Sequence, residues 1–244
     1  MRHEIENLII NETTFIINKY YERRRKVRAS FANGSVNVRI PSSLSHIEQF
    51  KHMNKIKGWI KNKVQKHPEK FKPKPVREYK NGDILKIGEE DYTLKIDFKH
   101  KMSSSVKIKD NVFCFSISNT ISKEKQNKTI SNLLSKSIAS KKLDKLKEKI
   151  HNLNSKHFNQ RINKITFKNN SSKWGSCSMN KNINISTKLL FAPETVLDYV
   201  CIHELAHLIE LNHSSDFWSL VEKAMPTYKE NIKWLKSYGH TLEF

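Results

Sequence analysis

The pentapeptide His203-Glu204-Leu205-Ala206-His207 constrains this chain more than any other stretch of it. On a helix, histidines four residues apart lie one turn above each other, so both imidazoles can reach one metal ion. Val196, Leu197, Val200, Leu205 and Leu208 supply a buried side at helical spacing. Pro193 suits the first position, where its missing N–H costs nothing, and the helix is expected to run to about Leu211. His203, Glu204 and His207 facing into so apolar a helix would be costly without a metal. Zinc favours nitrogen ligands in a tetrahedral site and, where catalytic, keeps one position for water. In this motif the glutamate is the general base for that water, which assigns Glu204 the proton transfer.

A third ligand is then required. His213 follows six residues after His207, and Asn212 tolerates the left-handed conformation that stops helices. Ser214 is a natural N-cap for the next helix, with Asp216 favourable in its first turn. His213 would thus be held between two helix ends, and Glu222 and Glu230 are the rivals for the same role. Phe217 and Trp218 read as core packing, Trp174 as packing or cleft lining, and Cys177 as structural.

The net charge of +21 is unevenly placed. Residues 171–244 hold seven lysines against eight Asp and Glu, whereas residues 1–170 hold 38 basic and 16 acidic residues. That excess fits either a face for nucleic acid or another polyanion, or the bias of a Lys-, Asn- and Ile-rich chain with only eight arginines. Three cysteines at unrelated spacings (Cys114, Cys177, Cys201) argue for a reducing, cytoplasmic setting. No apolar run is long enough to span a membrane, and the opening MRHEIENLII does not read as a signal peptide.

Residues 5–40 read as strands, with Lys26–Phe31 and Ser35–Ile40 flanking an Asn33-Gly34 hairpin turn. A helix fits Ser45 to Lys66 on Ile47, Phe50, Ile56, Ile60 and Val64, and Phe71–Pro75 reads as an extended linker. Strands follow at Asp83–Ile87, Tyr92–Phe98, Val106–Lys109 and Val112–Ser118, then a helical region over 123–158 whose outer face is mainly lysine. Ile165 with Phe167, and Ile183 with Ile185, alternate as strands, and short helices are expected near 215–225 and 227–238.

Lys173-Trp174-Gly175-Ser176-Cys177-Ser178, Leu190-Phe191-Ala192-Pro193, Tyr199-Val200, His203–His207, Asn212-His213-Ser214 and Phe217-Trp218 together resemble the YgjP-like metallopeptidase family. The basic Arg23–Lys26 opening and the strand-rich first half match its layout more weakly. The resemblance implies a zincin-like fold, zinc on His203, His207 and His213, and Glu204 as catalytic acid/base. The His-Ser-x-x-Phe-Trp element is also similar to SprT-like and WLM proteases, which act on proteins bound or crosslinked to DNA. Lys173 stands where the family usually has arginine, which keeps the charge and loses the bidentate fork. Ser215 stands where proline is common.

The expectation is therefore an α+β protein, with a basic strand-rich region over 1–122 and a helical, zincin-like metallopeptidase region over 123–244. Its substrate would be a protein or peptide, paired by analogy with zincins along the strand Ile183–Ser186, taken as a sheet edge. Two rivals stand beside this reading. One is a protease tethered to nucleic acid through residues 1–170; the other is a non-catalytic zinc or nucleic-acid binding module.

Overall fold

Alternation of apolar and polar residues sets the first four strands: β1 (Arg2–Ile10), β2 (Thr13–Glu22), β3 (Arg28–Ala32) and β4 (Ser35–Pro41). Their order is β1-β2-β4-β3, with β2 and β4 parallel and the outer pairs antiparallel. Phe15, Ile17, Val36, Val38 and Ile40 turn to one face and bury against helix α1 (His46–Lys66). Ser45 and Glu48 open that helix with reciprocal bonds: the Glu48 amide donates to Ser45 Oγ (3.4 Å) and the Ser45 amide to Glu48 Oε2 (2.9 Å). Its packed stripe is Met53, Ile56, Ile60 and Val64. Ile47 and Phe50, expected on that stripe, are 70% and 67% exposed. At 3.6 residues per turn they lie about 120° and 60° around the axis from Met53.

The structure, a computed structural model, describes residues 2–11, 13–32, 35–66, 77–170 and 173–244. The Asn33-Gly34 turn and the Phe71–Pro75 linker lie outside the described residues. The chain divides into two compact units, residues 1–76 and 77–244.

The second unit begins with β5 (Ile84–Ile87), β6 (Glu90–Lys99), β7 (Ser105–Lys109) and β8 (Val112–Ser118), in the order β5-β6-β8-β7. The inner pair is again parallel and the outer pairs antiparallel, so the strand plan of the first unit is repeated. Asp110 and Asn111, both at positive φ (48° and 59°), make the tight β7–β8 turn. Helix α2 (Lys123–His157) follows, with Ser122 as N-cap. Its first half lays Ile130, Leu134 and Ile138 on the sheet, and its second half lays Leu146 and Ile150 into the core of the last third of the chain. One 35-residue helix is long enough to serve both cores.

That last core is built on a three-stranded sheet of β9 (Lys164–Lys168), β10 (Gly175–Cys177) and β11 (Asn182–Ser186), ordered β10-β11-β9. β11 runs antiparallel to β10 and parallel to β9. The strand Ile183–Ser186 is therefore central and not an edge. Both its sides are paired, and Ile183 and Ile185 are fully buried. The edge is β10. Three helices complete the fold: α3 (Glu194–Ala206), α4 (Ser215–Ala224) and α5 (Tyr228–Tyr238). Lys149 of α2 reaches Glu194 (2.7 Å) and Asp198 (2.6 Å) and so ties the start of α3 to the long helix. The architecture is mixed α+β. No helix among the described residues is long and apolar enough to cross a membrane, and the three cysteines are unpaired.

Candidate metal centre

α3 is apolar on most of its surface because it lies between the sheet and the other helices, burying Val196, Val200, Ile202, Leu205 and Ala206. It ends at Ala206, five residues short of the expected Leu211. His207 is the capping residue, and the amides of Leu208 and Ile209 donate three residues back, to Leu205 and Ala206 (both 3.0 Å). A tightened last turn satisfies the terminal carbonyls, so the left-handed stop expected at Asn212 is not needed, and Asn212 is not among the residues at positive φ. The chain then turns back, and Ser214 Oγ accepts from the Phe217 amide (3.3 Å) to start α4. His213 is carried between the two helices as the sequence suggests.

The three histidines converge. Their ring nitrogens offer one ligand atom each, all within 4.8 Å of one another. His203 Nε2 and His213 Nε2 are 3.1 Å apart, close to the roughly 3.3 Å that two nitrogens take on one tetrahedral zinc. His207 Nδ1 lies 3.0 Å from the Glu210 carbonyl, which can only accept. That bond fixes the proton on Nδ1 and leaves Nε2 its lone pair. Tyr199 places its hydroxyl 3.5 Å from His203 Nδ1. The fully buried Phe217 ring lies within 4.9 Å of all three imidazole centroids and backs the cluster. Burial, reinforced by His207 and His213, pushes His203 down to about 4, and burial likewise lowers His207. Neutral imidazoles with convergent lone pairs are the form that binds a cation, so these residues fit a zinc ion.

Glu204 sits beside them at 4% exposure. Burial raises its carboxyl to about 7, partly offset by the Cys177 amide and the Lys173 charge. It rests on the β10 strand. A Cβ built on Gly175 would lie 2.4 Å from Glu204 Oε1 and 2.7 Å from its Cγ, so only glycine leaves room for the carboxylate. β10 pairs with β11 through residues 174, 176 and 178, which turns the amides and carbonyls of Gly175 and Cys177 to the open edge. Burial holds the Cys177 thiol up at about 11 and the Tyr199 hydroxyl at about 12, so both stay protonated near neutrality.

A cleft of 480 Å³ opens over His203 and Glu204, with Trp174, Ile232 and Leu235 along it. Trp174 lines the cleft and also packs on Gly239, where an added Cβ would meet its ring at 2.5 Å. Phe217 is core, and Trp218 stacks on Tyr228 at 5.5 Å while its ring stands 6.0 Å from His203. Glu222 pairs with Lys229, and neither Glu222 nor Glu230 belongs to the histidine cluster. Gly175, the Cys177 amide and Tyr199 are the neighbours that sequence reasoning gave no role. The resemblance motifs around Trp174 and at Tyr199-Val200 were their only trace, because nothing local links position 175 to position 204.

No curated protein matches the chain. Two crystal structures of metallopeptidase zymogens are similar to part of it. Abylysin of Pyrococcus abyssi is 27% identical, with a TM-score of 0.35 over 37% of this chain and 92% of that one. Jannalysin of Methanocaldococcus jannaschii is 22% identical, with a TM-score of 0.31 over 36% and 92%. The YgjP-like metallopeptidase domain matches residues 25–238. The resemblance carried by residues 173–218 thus extends over most of the sequence, and the chain belongs to the YgjP-like metallopeptidase family.

Proposed function

We propose that this metallopeptidase is a zinc enzyme in which His203, His207 and His213 hold the ion and Glu204 moves the proton. The observation that carries the reading is the convergence of three imidazole nitrogens within 4.8 Å beside a carboxyl that burial lifts to about 7. Bound zinc supplies Lewis acidity, polarising a peptide carbonyl and lowering the pKa of water at the site. The chain's own groups do the rest. Glu204 accepts the proton of the attacking water on a carboxylate oxygen and delivers it to the leaving amine nitrogen as the C–N bond breaks. Gly175 leaves room for that carboxylate, and Phe217 and the Glu210 carbonyl hold the imidazoles in place. An extended substrate would pair along the open edge of β10, which supplies the outward amide and carbonyl of Gly175, while the Cys177 amide stays with Glu204. The three unpaired cysteines fit a reducing compartment, and we place the chain in the cytoplasm.

The test is metal analysis joined to hydrolysis of a casein-like substrate. Wild type and Glu204→Gln should each carry about one zinc per chain, since the three ligands are intact in both. Hydrolysis should be lost only in the variant, and chelation should abolish wild-type activity until zinc is restored. Equal hydrolysis by both proteins would sink the mechanism.

One observation favours a second reading, a protease tethered to nucleic acid. Residues 1–76 carry 17 basic against 6 acidic residues, and the sheet face away from α1 carries Arg28 and Arg39 with His3 stacked on Tyr20. Titrating labelled DNA and RNA against the full chain at two salt concentrations tests it. Affinity no better than that of a lysine-rich control removes it.

A further inference from the structure

The cleft above Glu204 has a basic rim, of which only the Lys173 charge bears on Glu204 itself. Lys173 and Lys236 of α5 both line it, together with the apolar surface of Trp174, Ile232 and Leu235. A second recess of 450 Å³ shares Ile232 and Lys236 with the first and adds Lys229, Lys233 and the stacked pair Trp218 and Tyr228. The two recesses are therefore neighbours that share a wall. On α5 the lysines follow at i, i+4 and i+7 with Ile232 at i+3, so one helix face presents all of them.

Composition does not account for this cluster. Residues 171–244 are near neutral, yet four of their seven lysines line these two recesses. Lys229 is partnered by Glu222 at 3.6 Å. Among the described residues, Lys173, Lys233 and Lys236 have no ion-pair partner, and Glu204 is the only acidic residue lining either recess.

We propose that these recesses select peptides with acidic side chains flanking the scissile bond. The carboxylate nearest the bond meets Lys173 and Lys236, and a second one farther along meets Lys233 and Lys229. The methylene groups of a glutamate lie on Ile232, Leu235 and Trp174 while its carboxylate reaches the lysine ammonium groups at the rim. A lysine in the same place meets like charge from Lys173 and Lys236. The inference rests on the peptidase reading above and names the substrate class for that site.

The test uses the full chain with zinc and quenched fluorescent peptides that differ only by Glu, Gln or Lys beside the scissile bond. Solvent-exposed ion pairs of this kind predict kcat/KM about five- to tenfold higher for Glu than for Gln, and a lower value still for Lys. Raising the salt concentration should shrink the difference. Lys236→Gln, which removes one exposed charge, should bring Glu and Gln together, and Lys236→Glu with Lys233→Glu should reverse the order. Binding of the same peptides to Glu204→Gln, read by fluorescence polarisation, separates recognition from chemistry. Hydrolysis with no preference between Glu and Gln overturns the proposal and leaves the peptidase reading standing. Selective binding of the Glu peptide by a protein that hydrolyses none of them does the reverse. A Glu preference unchanged in both lysine variants also overturns the proposal.

Discussion

Gly175→Ala is the sharpest single perturbation of the site. The new methyl carbon would start 2.4 Å from Glu204 Oε1, 2.7 Å from its Cγ and 2.8 Å from its Cδ, where real Cβ contacts essentially never fall below 3.0 Å. Glu204 or β10 must therefore yield by about 0.6–1 Å, and a displacement of that size near the chemistry costs about 10²-fold in rate. The overpacking itself should cost about 1–3 kcal/mol of stability. The histidines are untouched, so metal content should stay that of wild type. Gly88→Ala is the control for stability alone: its φ of +62° strains any other residue, but its Cβ would meet nothing within 4 Å. The assay is kcat/KM on one peptide, with zinc content and thermal midpoint measured on the same preparations. Gly175→Ala should lose about two orders of magnitude in kcat/KM, whereas Gly88→Ala should lose only stability. Wild-type kcat/KM in Gly175→Ala would refute the idea that this glycine places Glu204.

Two further outcomes follow from contacts elsewhere. Glu90 accepts bonds from Lys142 and the Tyr92 hydroxyl, which hold its carboxyl down at about 2 against an ordinary 4.5. Its contribution is complete above about pH 4.5 and disappears as pH falls towards 2, so Glu90→Gln should flatten the acid limb of denaturant-unfolding stability. With Glu90 partly exposed, the difference near neutrality should be about 1–2 kcal/mol after screening. A variant whose acid limb matches wild type would contradict this. Phe217→Ala removes the ring that backs all three imidazoles, and should cost about 3–5 kcal/mol as a large-to-small core change. Zinc affinity, read by competition with a chelator, should fall about 10- to 100-fold as the ligands lose their support. Unchanged zinc affinity would show that the ring only fills space.

What the sequence revealed was local. Histidines four apart and a serine that caps α4 are signals carried within a few residues, and each reappears in the structure. Strand pairing was less legible. β2 with β4, β6 with β8 and β9 with β11 are parallel neighbours joined through intervening chain, and period-two alternation does not say which strand lies beside which. That is why Ile183–Ser186 read as an edge when it is the centre of its sheet. The face of α1 was misjudged for a related reason. Ile47 and Phe50 are apolar, but the stripe that packs is fixed by where the sheet lies, and it begins at Met53. At the site, the fit of Gly175 under Glu204 joins residues 29 positions apart, and no periodicity relates them.

The strand plan that occurs twice bears on engineering. Four strands with a parallel inner pair, followed by a helix, form one cassette, and the chain uses it in both compact units. The second cassette is committed, because its helix continues into the core that carries the histidines. The first closes its own core with α1. Because the first cassette has a core of its own, chimaeras joined at residue 76 are the natural way to ask what it contributes.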